Sequence, residues 1–363
     1  MCIRDRIGIV LTPADLFGRY YINQSGQPQQ IPPQAIIGEL EKQYEVVQVN
    51  PNSPYEKYDV LMVVQPSALN QEQLDHLMDA IAEGQPTAIF EDAAPLFISG
   101  APGTGQPLVN ASGQAEPKCD IERLWELLGI KMIGDSVPGS PFDAHIIYQD
   151  YNPYPKARAS VALTDEFVFA SPDASPDASQ EERDRAISTK NPITAGLDQL
   201  LFPFPGAIRR DESQGMNFEP LVLTGKETGT VKFSDIRRAQ TIMEQYPNAD
   251  LESLMSEIRQ RTGDTYCMAA KITGKPRSKS AVAGLNSPGL APTPNSNKQS
   301  DAGVNVVFVS DIDLFASRFL AIRARHSAGD VNWQFDNVPF VLNIFDSLAG
   351  DDRLIEIRKR QTR

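Results

Sequence analysis

Apolar and polar positions along this chain fall into two blocks of similar construction, far apart in sequence. Ahead of the first block, which spans Tyr58 to Phe97, Ile7 to Leu11 reads as a strand, and a polar, proline-rich connection leads on to Pro32 and Pro33. A helix is predicted from Gln34 to about Tyr44, because proline suits a first helical turn and Ile36, Ile37, Leu40 and Tyr44 recur on one face. Glu45 to Val49 and Tyr58 to Val64 follow as strands. The next helix opens on Asn70, a favoured N-cap, with Gln73 in the capping-box position and Leu74, Leu77, Met78 and Ile81 as its stripe; Gly84 stops it. Pro86 to Phe90 is apolar without alternation, as expected of a strand covered on both faces, and Glu91 and Asp92 stand at its carboxyl end.

The second block, Val304 to Asp352, repeats strand, acidic turn and helix, with Asp311 and Asp313 in the turn. The two blocks predict an α/β fold: a mostly parallel sheet flanked by helices, with an additional β-rich middle segment. Its loops lie at the carboxyl ends of the strands, where ligands or partners often bind. The expected organisation is a first part of the sheet core over 7–150, an insertion and middle segment with mobile loops over 151–303, and a return to the sheet with a C-terminal helical segment over 304–363. Within the middle, Ile121 to Ile130 reads as a short helix, and Ala144 to Asp150, Glu166 to Ala170 and Tyr266 to Gly274 as strands. Leu200 to Thr230 reads as two strand-like pieces, and Asp235 to Tyr246 and Asp250 to Arg261 as helices. Pro95 to Lys118, Ser171 to Lys190 and Lys275 to Ala302 are Gly-, Pro-, Ser- or charge-rich, and are expected to be loops.

Charge removes one class of partner. Lys and Arg number 34 against 47 Asp and Glu, for a formal net charge of −13, so no nucleic acid is expected. The basic run Arg353 to Arg363 reads as a solvated helix face or a membrane-proximal segment. Three cysteines, Cys2, Cys119 and Cys267, make no disulfide framework; free thiols are the preferred reading, with a Cys119–Cys267 bridge as the alternative in an oxidising compartment. No run approaches the roughly 18 apolar residues of a membrane span. The chain opens with MCIRDR in front of a strand and closes inside a charged helical pattern, so we expect a piece of a longer protein.

Catalytic chemistry finds few candidates. His76, His145 and His326 are too few and scattered for a metal or triad site, and His76 is expected on a helix surface. No G-x-S-x-G elbow occurs. The glycine-rich stretch Gly100 to Pro107 lacks the lysine and hydroxyl of a phosphate loop. Cys119 precedes a helix whose dipole would lower its pKa, but no base lies near it in sequence. Asp311 and Asp313 remain: two carboxylates at a strand end can hold Mg²⁺ or Ca²⁺, although capping of the following helix is preferred, and Glu91 and Asp92 read equally as turn residues. Neither metal nor cofactor is expected, and Glu91, Asp92, Asp311 and Asp313 are kept as candidate binding residues.

Several blocks carry a family resemblance. YDVLMVVQPSALNQEQLDHLMDAIAEGQPTAIFEDAAPLF, then YCMAAKITGKPRSKSA, NVVFVSDIDLFASRF and FVLNIFDSLAGDDRLIEIRKR, resemble in order and spacing the gliding-motility-type auxiliary components of ABC-2 transporters, the ABC-type uncharacterised transport system family. The resemblance covers roughly residues 7 to 363. It implies a Rossmann-like or amidotransferase-like α/β domain on the extracytoplasmic (periplasmic) side of the cell membrane, accompanying an ABC-2 permease and ATPase, and it supplies no catalytic residues. Family members carry membrane helices on either side of the domain, so membrane attachment is expected through segments absent from this chain. The function expected is that of a non-catalytic auxiliary subunit, with an extracellular polymer or small molecule as a further ligand. The alternatives are a hydrolase-like enzyme using Glu91, Asp92, Asp311 or Asp313, or a carbohydrate-binding module.

Overall fold

The computed structural model describes residues 5–22, 26–98, 100–110, 113–154, 164–174, 177, 179–246, 248–275, 303–324 and 333–361. The readings of Cys2, His326 and most of the stretch 275–302 fall outside them. A nine-stranded sheet organises the rest. In chain order its strands are β1 (Arg6–Val10), β2 (Glu45–Val49), β3 (Val60–Val64), β4 (Thr87–Phe90), β5 (Ile130–Met132), β6 (Ile208–Arg210), β7 (Asn217–Leu223), β8 (Cys267–Gly274) and β9 (Val304–Val309). In space they run β2-β1-β3-β4-β9-β8-β6-β5, with β7 also paired to β8.

Alternation along the buried strands divides the core in two. Ile7, Ile9, Met62, Phe90, Val307 and Val309 point to one face, against α1 (Ala35–Glu41) and α4 (Asn337–Ala349) through Ile36, Leu40, Ile344 and Phe345. Leu61, Val63, Ile89, Val306 and Phe308 point to the other, against α2 (Gln71–Ala82) and α3 (Glu122–Leu128) through Leu74, Leu77, Ile81 and Leu124. The Asn70 capping box of α2 is formed: Gln73 N donates to the Asn70 side chain at 3.0 Å and Asn70 N to the Gln73 side chain at 2.9 Å.

The expected mostly parallel, Rossmann-like sheet is corrected to a mixed one. From β2 to β9 the strands are parallel, but β8 runs antiparallel to β9, and β7, β6 and β5 continue antiparallel. Strand direction depends on the connection, and an apolar run looks the same either way. Gly274 and Val304 sit opposite each other in the register, so the chain leaves β8 and enters β9 at the same end of the sheet, where a helical crossover would have returned to the other end. Small antiparallel sheets add to the mixture. One has four strands, including Asp143–Gln149 and Thr228–Lys232, and another pairs Phe167–Ala170 with Leu200–Pro203.

Three segments read as loops carry structure, and in one of them, Pro95 to Lys118, Leu108–Val109 pairs with Ala115–Glu116. Arg19–Ile22 and Pro28–Ile31 form a hairpin within the proline-rich connection. Gln180–Ala186 is a helix, opened by a Ser179–Glu182 capping box. Arg259 ties the middle of the chain together. Its Nε and Nη2 donate to the two carboxylate oxygens of Glu166 at 2.8 and 2.9 Å, and its Nη1 donates to Glu252 at 2.8 Å and lies 3.2 Å from Asp165. Its guanidinium also lies over the Tyr148 ring, 5.5 Å from the centroid.

Candidate functional site

The carboxyl ends of β3, β4 and β9 meet because these strands are neighbours in the parallel half. Glu91 and Asp92 follow β4 directly, and Asp311 and Asp313 follow β9 after Ser310. All four carboxylates predicted from sequence come into this region, and each is 0% exposed. A buried carboxyl needs hydrogen-bond donors, and here the backbone supplies most of them.

Asp92 and Asp313 clamp the two turns reciprocally. Asp92 Oδ2 accepts from Ile312 N at 3.0 Å, and its Oδ1 accepts from Ala94 N at 2.7 Å. From the opposite turn, Asp313 reaches back to the loop after β4. Its Oδ2 accepts from Leu96 N at 2.7 Å and its Oδ1 from Phe97 N and Ile98 N at 3.0 and 2.9 Å. Asp311 Oδ1 accepts from Leu314 N, inside the 3-10 turn Asp313–Phe315, at 2.9 Å; its Oδ2 is buried with no hydrogen-bond partner.

Glu91 is held by residues to which sequence reasoning gave no role. Thr104 Oγ1 donates to it at 2.6 Å, Ser67 N at 3.0 Å and Gln65 Nε2 at 3.2 Å. Gln65 is the hub: its amide also donates to Asp92 O at 3.0 Å and accepts from Asp92 N at 3.0 Å. It adopts φ 57° between β3 and the 3-10 turn Pro66–Ala68. A strained strand-to-helix turn of this kind is where α/β hydrolases place a nucleophile. Here the position holds a fully buried amide. The available signal was a polar residue wedged between an apolar run and a proline.

The glycine-rich stretch serves packing. A Cβ on Gly105 would stand 1.6 Å from Phe142 O, and one on Gly103 would stand 2.3 Å from Ala93 O. Lys118 holds the same loop, its Nζ donating to the carbonyls of Gly103, Thr104 and Gln106 at 3.1, 3.0 and 2.8 Å. Cys119 is no activated thiol: burial, and then the neighbouring Glu91, push it up to about 12. Cys119 and Cys267 are free. His76 is half-buried on α2, its Nδ1 3.1 Å from Pro51 O. Among the described residues, no group of three or more His, Cys, Asp and Glu side chains could hold a metal ion.

Burial sets the electrostatics. It raises Glu91, and together with the neighbouring carboxylates it pushes Asp92 and Asp311 well above the usual carboxylate range. Asp313 is pushed up to about 7 by burial, against the pull of its three backbone donors. An acid raised on folding takes up a proton as the chain folds. Its stabilisation is complete below the unfolded value of 3.8 and is lost as the pH rises through about 7. The unfolding temperature should therefore fall by at least about 3 °C between about pH 5 and about pH 8. Calorimetry at constant ionic strength checks this, and a flat or rising profile would refute it.

The arrangement offers no open nucleophile. It closes the end of the sheet and fixes the loops above it. Over residues 4–344 the chain matches the model of a protein family described as an ABC-type uncharacterized transport system. No curated protein matches it. Among solved structures it is similar to the mmIFT52 N-terminal domain, at 8% identity and a TM-score of 0.43 over 94% of this chain and 97% of that one. It is also similar to a ThuA-like protein from Bacteroides uniformis, at 8% identity and a TM-score of 0.39 over 95% of this chain and 91% of that one.

Proposed function

Because this chain belongs to the family of ABC-type uncharacterized transport systems, we propose that it serves such a system as a non-catalytic auxiliary subunit, working by binding protein or substrate at the extracytoplasmic face of the membrane. Its partners in this reading are an ABC-2 permease and its ATPase. One observation carries the non-catalytic part. At the carboxyl end of the parallel strands, where an open α/β sheet offers its reactive cleft, Glu91, Asp92, Asp311 and Asp313 are fully buried and bonded mostly to backbone N–H groups. Carboxylates used in this way anchor loops, and anchored loops present a surface of fixed shape.

No helix among the described residues is long and apolar enough to cross a membrane. The test accordingly starts from native membranes. With the chain tagged at its native locus, mild cross-linking, solubilisation and mass spectrometry should recover the permease and ATPase in amounts comparable with the tagged protein. Efficient recovery of the tagged chain with neither subunit would end the proposal.

A further inference from the structure

A cavity of about 150 Å³ opens between the helix Gln180–Ala186, the turn that follows Leu223, and Thr265. Arg183, Arg185 and Lys226 line it, and Glu182 is the one carboxylate among its lining residues. In a chain of net charge −13, a cavity with three cations in its wall runs against the average field of the molecule.

Glu182 does not neutralise the set. It belongs to the capping box of its helix and pairs with Lys226 Nζ at 2.5 Å, which leaves the two guanidiniums. Arg183 Nη2 makes a loose ion pair with Asp173 at 3.7 Å, beyond hydrogen-bond reach, and its Nε is buried with no acceptor. A guanidinium N–H buried without an acceptor is costly, and an oxyanion supplies what it lacks. Arg185 is exposed and has no hydrogen-bond or ion-pair partner among the described residues. The hydroxyl-bearing residues Ser171, Thr224 and Thr265 complete the polar wall.

We propose that this cavity binds a small oxyanion, a phosphate or carboxylate group on a soluble molecule, with Arg183 and Arg185 as its donors and Lys226 as a supporting charge. The planar fork of arginine matches both kinds of group, and both arginines contribute to the wall of this one small space. The site is separate from the carboxylate cluster and does not depend on the transport reading.

Isothermal titration calorimetry on the whole chain tests it, with sodium phosphate and sodium acetate as probes and sodium chloride of equal ionic strength as the reference. Saturable binding of phosphate or acetate is expected, and the better of the two identifies the group. Affinity should fall by about tenfold or more in R183Q/R185Q and stay unchanged in R353Q, whose arginine is exposed on another helix and does not line the cavity. R185Q alone removes an exposed side chain, so it keeps the test decisive if the double variant fails to fold; it too should weaken binding. Binding of neither probe, or equal affinity in the native chain and R185Q, would overturn the proposal. So would binding to phosphatidylglycerol vesicles that free phosphate does not compete away, since that would assign the arginines to a lipid surface.

Discussion

Asp313→Ala should destabilise the protein by about 3–5 kcal/mol, because it leaves the N–H groups of Leu96, Phe97 and Ile98 without their common acceptor. Each buried donor without a partner costs about 1–3 kcal/mol, and water can reach Leu96 more easily than Ile98. Two companion variants separate hydrogen bonding from charge. Asp313→Asn keeps one acceptor oxygen and should cost about 1–2 kcal/mol. Asp311→Asn alters a side chain whose Oδ2 has no hydrogen-bond partner, and should change stability by less than about 1 kcal/mol. Urea denaturation with a shared slope gives the three values. An Asp313→Ala chain within about 1 kcal/mol of the native one would mean that the clamp does not hold the loop.

Arg259→Ala carries the second large effect, also about 3–5 kcal/mol, because Glu166 would remain at 0% exposure without the guanidinium that both its oxygens bond. The same arginine joins segments distant in sequence: Glu166 precedes the strand Phe167–Ala170, and Tyr148 lies on Asp143–Gln149. Arg259→Lys keeps the charge but loses the two-pronged geometry, and should fall between the native chain and the alanine variant. Denaturation of the three proteins at one pH decides the matter. A lysine variant as damaging as alanine would show that geometry contributes everything; an alanine variant near the native value would show that Asp165, Glu166 and Glu252 do not need a cation between them.

Much of the parallel half was legible because its signals are local. Glu45–Val49 and the Asn70 capping box were read directly, and the strands at Val60–Val64 and Thr87–Phe90 differ from expectation only at their first residues. The antiparallel half was not legible as such. Cys267–Gly274 has a buried apolar run like those of the parallel strands, and its direction follows from where the chain turns. The helix Gln180–Ala186 was lost in a charge-rich stretch although Ser179 and Glu182 carry the capping signature. In the candidate site, the four acids were visible as strand-end residues. Their burial was not, since it depends on residues 93–98 and 100–106 folding back over them. Gln65 carries no motif signal, because the left-handed turn after β3 holds an amide where an elbow would hold a serine or cysteine.

The pairing of β4 with β9 has a consequence for biogenesis. Translation delivers β1 to β4 early, yet Thr87–Phe90 stays an uncovered apolar edge until Val304–Val309 emerges from the ribosome, after the whole middle of the chain. Closure across so long a separation is slow, and until it happens the edge is a template for pairing with other nascent chains. The yield of this protein should thus depend on holding chaperones during synthesis more than its finished stability would suggest.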